Sequence, residues 1–569
     1  MNHFFTYFKK TLWQGTLQFL VSIVLLLMFS TSLLAGNYTW NGTTNNQWGT
    51  ASNWSGGVVP SSNDTVTIGS GSDTILIAAN TTIYRLTISG RTINIGGYEL
   101  EVTIAATLSG GKIYNGTLKL RGTYVTFEGT HTDCTIDCIT ARLELSGGVF
   151  DGEGSFEHNG TSNGFGDGGC VFQCTCGNHQ NTIGILRLGQ ALPDTFNSRV
   201  DFINTYKQPL EISYGSASVF HDLVSLSCRG ISSSMTLGNA THSVQFLDDA
   251  ALVTGEVGLN HGIITLKGIY QSGQVGNELI GDDGLVINMD SCTFTGDVTL
   301  TAPSILLKNS VFMGDAAFTK IRTSSNSYCY GGNAFYGSVT LDNQDNSNAF
   351  RFANITGDYF YNDVQFVPES NEIQMAHTGT TRFEGDVSIN SSEISFKTNN
   401  GKVILSGEKQ PELRRNRPYQ FCKLEISKTS GSVQLNQQAF IDSTITFESG
   451  ILYTDSLLTL KATATTTGAS NLSFVDGTVK KIGNTAFVFP VGDQGQYYPA
   501  GISPPGTASD AFQCQYIGQH SNLSENSDST ITSLSQCQYW KIERISGSAA
   551  VSVTLYWDSL GCGVLDTPA

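Results

Sequence analysis

Positive charge is scarce in this 569-residue chain: 31 Lys and Arg stand against 48 Asp and Glu, a formal net charge of −17. Nucleic acid needs a basic footprint on its partner, and so does an anionic membrane surface, so the balance argues against both. Charged residues of either sign make up only 14%. Helical periodicity is absent beyond the N-terminus. After that terminus no segment approaches the roughly 20 apolar residues that a membrane-crossing helix requires. The usual signatures of catalysis are missing too. There is no P-loop, Rossmann glycine fingerprint, HExxH or G-x-S-x-G elbow. Ser406-Gly-Glu-Lys409 has S-x-x-K spacing without its partner motifs and reads as chance. The nine His are dispersed, with no pair at ligand spacing.

What the chain has instead is glycine, 62 residues of it, among abundant Thr, Ser and Asn. That mixture disfavours helices and suits short strands joined by tight turns. Hydrophobic residues at 39% keep the chain out of the disordered class.

The N-terminus reads as an address. Lys9 and Lys10 precede an apolar run over residues 19–29, broken only by Ser22, and Ser30, Thr31 and Ser32 follow. The pattern predicts a secretory signal cut after Ala35, with the rest secreted or held at the cell surface. The run is short for an uncleaved membrane anchor. Twelve Cys in an exported chain permit disulfides. Cys134, Cys138, Cys170, Cys174 and Cys176 cluster, with His179 close behind. Their spacings do not match zinc patterns, so disulfides between neighbouring turns are expected and no metal or other cofactor is.

An internal repeat decides the fold. Phe294-Thr-Gly-Asp-Val-Thr-Leu300 recurs as Phe312-Met-Gly-Asp-Ala-Ala-Phe318 and Phe335-Tyr-Gly-Ser-Val-Thr-Leu341. Phe360-Tyr-Asn-Asp-Val-Gln-Phe366 and Phe383-Glu-Gly-Asp-Val-Ser-Ile389 complete the set. Weaker copies begin at Phe220 and Phe246, with Tyr270 midway between Phe246 and Phe294. The third position, Gly or Asn, predicts a left-handed turn. The fourth, Asp or Ser, predicts a side chain bonding the backbone just ahead, with calcium ligation as the sharper alternative. The fifth and seventh are apolar with a small or polar residue between them, which is strand periodicity. A unit of this length cannot bury its own apolar face, but stacked copies bury it together. The expected fold is all-β: a parallel β-helix (β-solenoid), one coil per repeat, with the Phe residues forming an internal ladder. Its domains are a signal at 1–35, a Trp-rich N-terminal cap and first strand at 36–68, and solenoid repeats at 69–400. A β-rich array follows at 401–508, and a partial β-sandwich-like module at 509–569.

Trp40, Trp48 and Trp54 crowd a segment rich in Asn and Gly just before Asp64-Thr-Val-Thr-Ile68. They predict an apolar cap on the first coil, with a glycan-stacking platform as the alternative. The 40–68 pattern resembles the opening of large secreted proteins of the Bacteroidetes, many from gliding or marine bacteria. So does Gly477-Thr-Val-Lys-Lys-Ile-Gly-Asn-Thr-Ala-Phe-Val-Phe-Pro-Val-Gly492, followed by Tyr497-Tyr-Pro-Ala-Gly-Ile502. In those proteins a similar FPVG stretch ends a β-rich array and precedes β-sandwich modules. Cys537-Gln-Tyr-Trp-Lys-Ile542 with Val551-Ser-Val-Thr-Leu-Tyr-Trp557 looks like the start of one. The resemblance implies display or release through a type IX secretion route and an adhesin-like role. Such proteins usually finish in a sorting domain, which is not visible before Thr567-Pro-Ala569. The chain therefore reads as a fragment or as using another route.

The expected function is that of a non-catalytic surface protein, adhesin-like or structural, with surface glycans or proteins as partners. The rival is a β-helix polysaccharide lyase or glycosidase, since coils bring distant carboxylates together. Asp248-Asp249 and Asp282-Asp283 are the acidic spots such a site would draw on. A third reading is a carbohydrate-binding module using the Trp cluster.

Overall fold

Short apolar–polar alternations between glycines leave strand as the natural element, and strands account for 57% of the chain. The computed structural model describes residues 35–181, 184–230, 232–239, 241, 244–247, 250, 252–254, 263–271, 275–276, 284–321, 327–368, 370–389, 394–396, 399–409, 412–414, 418–519, 535 and 537–557. The signal and both acidic spots lie outside them. Among the described residues there is no α-helix, and no helix long and apolar enough to cross a membrane. Contacts divide the chain into two units, Met1–Phe156 and Glu157–Ala569. Each is built of parallel stacked coils, as the repeat predicts.

In the first unit each strand pairs in parallel with its counterpart one coil later. Val66, Leu86, Ala106, Val125 and Leu143 lie on one another, as do Ile68, Ile88, Leu108, Phe127 and Leu145. A second wall stacks Ile75, Ile93 and Ile113. All of these side chains are buried. Every second residue points inward, so one face of each strand supplies the core and the other meets solvent.

The second unit repeats this plan with larger side chains. Val298, Ala316, Val339, Val364 and Val387 share a column. Phe294, Phe312, Phe335, Phe360 and Phe383 form the expected internal ladder, with centroids 5.3, 4.8, 4.6 and 5.2 Å apart in succession. An earlier ladder of Phe172, Phe196, Phe220 and Phe246 obeys the same rule, at 4.6, 4.8 and 5.1 Å. Tyr270 is not the link between the two. In register, Gln271 pairs with Phe246 and Phe294, so Gln271 holds the ladder position and Tyr270 lies one residue off it.

Two repeat positions work differently from their sequence-level reading. Gly314, Gly337, Asn362 and Gly385 all lie outside the left-handed region. The glycines are required by closeness instead: a Cβ on Gly337 would sit 2.2 Å from the Gly314 carbonyl oxygen, and one on Gly385 would sit 2.4 Å from the Asn362 carbonyl carbon. The left-handed residues occupy the corner before the Phe strand, at Ser291 (φ 59°), Asn309 (49°), Gly331 (104°), Ala353 (46°) and Ala376 (57°). The Asp column does hold the turn, but by bonding the next coil. Asp297 Oδ1 accepts from Asp315 N at 2.9 Å, Asp315 Oδ1 from Ser338 N at 2.8 Å, and Asp363 Oδ1 from Asp386 N at 3.0 Å.

Parallel pairing ends where the FPVG segment lies. Val475↔Val491 belongs to the last parallel pair, and the strands that follow are antiparallel: Phe487–Phe489 with Ala500–Ile502, Ala511–Ile517 with Tyr539–Ser546, and Val553–Leu555 on Ala500–Ile502.

Two buried carboxyls give the second unit a pH dependence. Burial pushes Asp194 up to about 7, despite N–H groups of Cys170 and Gly189, and Asp358 up to about 6, despite those of Asn333 and Ala353. A carboxyl raised above its unfolded value favours the folded state at pH below that unfolded value, and this contribution fades as pH climbs through the folded one. Asp64 and Asp345 are held low and act oppositely, losing their contribution only below about pH 4. The melting temperature should therefore rise on the order of 5 °C between pH 7.5 and pH 5. Calorimetric scans across that range check this; a flat or falling trend on acidification would refute it.

Candidate functional site

The Trp segment is tied down by two polar residues that the sequence reading passed over. Asn53 is fully buried. Its Oδ1 accepts from Thr44 N and Asn45 N at 3.0 and 3.2 Å, and its Nδ2 donates to Asn45 Oδ1 and to Gln47 O, each at 2.9 Å. Asp64 accepts from Gly36 N, Ser61 N and Ser61 Oγ, each at 2.7 Å. Burial alone would raise its pKa, yet these donors hold it below the usual carboxylate value. The strand Asn37–Thr39 then pairs in parallel with Thr65–Ile68.

On this frame Trp40, Trp48 and Trp54 are 5%, 3% and 2% exposed. Trp54 lies edge-on to both others, with centroids 5.0 Å from Trp40 and 4.7 Å from Trp48. Its Nε1 donates to the Trp48 carbonyl at 2.7 Å, and Trp40 Nε1 reaches Asp73 Oδ2 at 3.4 Å. Trp48 Nε1 is buried without a hydrogen-bond partner among the described residues. Rings this buried present no open face on which a sugar could stack in this conformation.

The cysteine cluster departs from expectation as well. Cys134 is a buried thiol and not half of the disulfide that its neighbouring turns suggested. Burial pushes Cys134 up to about 12, with Asp133 adding to the effect, so it stays protonated and is a poor ligand or nucleophile. The side chains of Cys176 and His179 lie outside the described residues. No group of three or more His, Cys, Asp or Glu among the described residues is arranged to hold a metal. In the S-x-x-K match, Ser406 Oγ turns to the Phe383 carbonyl at 3.4 Å while Lys409 Nζ reaches Asn362 at 2.7 Å and Asp363 at 3.3 Å. The pair makes no dyad.

A surface feature emerges elsewhere. The residue after each ladder Phe points outward, and its N–H bonds the Phe carbonyl one coil back. Met313, Tyr336, Tyr361 and Glu384 are thereby stacked in a column. Tyr336 and Tyr361 are stacked with centroids 4.3 Å apart and ring planes nearly parallel, and Tyr359 stacks on Tyr361 at 4.1 Å. Arg382 lies 5.3 Å from the Tyr359 ring centre, and the Tyr359 hydroxyl donates to Glu384. Burial and that bond raise the Tyr359 pKa to about 12, so the phenol remains neutral. On the preceding stretch of coil, Tyr328 and Tyr330 stand exposed beneath Arg351 at 4.7 Å and Lys308 at 5.6 Å. The signal was present in the sequence: five of the 21 Tyr fall between residues 328 and 361. It was hidden because three of the five stand one residue to either side of the ladder Phe, where they read as filler in the repeat. The chain matches no protein-family model, no curated protein and no solved structure.

Proposed function

We propose that this chain is a non-catalytic, exported β-solenoid with an adhesin-like or structural role outside the cell, meeting surface glycans or proteins. The carrying observation is the Asp column. In a β-helix, recurrent carboxylates on neighbouring coils are the raw material of a hydrolytic or lytic site. Here Asp297, Asp315 and Asp363 are each committed to a backbone N–H of the following coil. They act as fasteners between coils. Export rests on the basic and apolar N-terminal pattern that ends near Ala35. The resemblance to Bacteroidetes surface proteins supports a type IX route.

The test is incubation of the purified full chain with plant and algal polysaccharides. New reducing ends and unsaturated sugar products would be assayed. No release above a heat-denatured control is expected. Cleavage of any substrate would overturn the reading in favour of a polysaccharide-degrading enzyme.

A further inference from the structure

The outward tyrosines of the second unit call for an explanation beyond packing. A ladder that only stiffened the solenoid would run coil after coil, as the buried Phe column does from Phe294 to Phe383. The outward column instead is aromatic on two coils only, and changes to Met313 on one side and Glu384 on the other. Tyr336 is 43% exposed, with Tyr328 and Tyr330 at 41% and 42%, so these rings contribute little to the core. Tyrosine and arginine concentrated on an exposed face are the composition of a recognition surface.

We propose that this tyrosine face, centred on Tyr336, Tyr359 and Tyr361 with Arg382 and Glu384, binds an uncharged polysaccharide. The inference rests on the extracellular reading above and adds the site and the ligand class. Tyr336, 43% exposed, offers apolar ring surface to the C–H faces of pyranose rings, and Tyr361 and Tyr359, stacked in series with it, hold it in place. Arg382 and Glu384 supply donors and acceptors beside the rings, suited to sugar hydroxyls. A polyanion is disfavoured. Lys308 is paired with Asp290 at 3.0 Å, Glu384 places negative charge in the face itself, and the chain carries −17 overall. The face is an open sheet surface on coils about 4.8 Å apart. Such a surface can follow an extended chain.

The probe is affinity electrophoresis of the full chain in gels containing laminarin, xylan, galactomannan or hydroxyethyl cellulose, with alginate as the charged comparison. At least one uncharged polymer should retard the protein. The double variant Tyr336→Ala, Tyr361→Ala should bind at least tenfold more weakly, and Arg382→Gln should bind measurably more weakly. Tyr98→Ala, which removes an exposed ring in the other unit, should leave retardation unchanged. If the double variant melts early, Arg382→Gln decides alone. Retardation by none of the uncharged polymers, by alginate only, or equally for wild type and variants, would each overturn the proposal and point to a protein partner or to no partner at this face. Release of sugar products would instead overturn the non-catalytic reading and leave this site standing.

Discussion

Replacing Phe335 with Ala is expected to destabilise the second unit by about 3–5 kcal/mol, the range for emptying a fully buried aromatic position. Phe335 is 0% exposed and stacked on both sides, 4.8 Å from Phe312 and 4.6 Å from Phe360, with Phe318 edge-on at 6.2 Å. The space vacated is bounded above and below by the Phe312 and Phe360 rings, carried on coils already at strand spacing that cannot close in. Refilling would require one coil to move while its hydrogen bonds hold it in register. The loss should also be local. Each coil of a solenoid contacts only its neighbours, so stability is a sum of nearest-neighbour terms. Hydrogen exchange in Phe335→Ala should therefore quicken in the strands Val311–Phe312, Ala334–Phe335 and Asp358–Phe360. Exchange in Thr81–Ser89 of the first unit should not change. Urea unfolding gives the magnitude. A cost below about 1 kcal/mol, or protection lost evenly across both units, would mean that the ladder is not the core element described.

That ladder was the most legible part of the molecule, and the reason is physical. A buried aromatic column tolerates few substitutions, so Phe recurs at each coil even as loops change length between coils. The positions around it were legible as positions but not as mechanisms. Gly337 was recognisable as a turn position, yet the pressure on it comes from the Gly314 carbonyl 23 residues earlier, a contact that exists only once the coils stack. Asp297 was recognisable as a turn residue, yet its partner is Asp315 N, one coil on. Register slips had the same cause. Tyr270 looked like the missing aromatic by spacing, but the pairing of Gln271 with Phe294 leaves it one residue out of register. The Trp cluster was found, but whether its rings face solvent depends on Asn53 and Asp64, whose bonds join residues up to 28 apart.

Least legible was a buried ion pair, and Asp345→Ala is expected to cost about 3–5 kcal/mol near neutral pH. Lys320 Nζ lies 2.5 Å from Asp345 Oδ2, and both side chains are 0% exposed. Asp345 also accepts from Ser347 N at 2.9 Å, Asn348 N at 3.3 Å and Asn348 Nδ2 at 3.2 Å, closing the 345–348 turn. Burial by itself would raise the carboxyl pKa, but the Lys320 bond and these donors hold it at about 2. Removing the carboxylate strands an ammonium in a site closed to water, and that unpaired charge is the main penalty. Lys320 responds by losing its proton, which its lowered pKa already anticipates. A double replacement, Lys320→Met with Asp345→Leu, removes both charges and should recover most of the loss, less about 1 kcal/mol for the turn hydrogen bonds. Because the folded pKa lies below the unfolded one, the carboxylate stabilises the fold above about pH 4, and that contribution is lost as pH falls through 2. The penalty of Asp345→Ala relative to wild type should accordingly shrink in acid. Urea titrations of wild type, Asp345→Ala and the double variant at pH 7 and pH 3 measure each term. A double variant as unstable as Asp345→Ala would place the energy in the turn hydrogen bonds and not in the stranded charge.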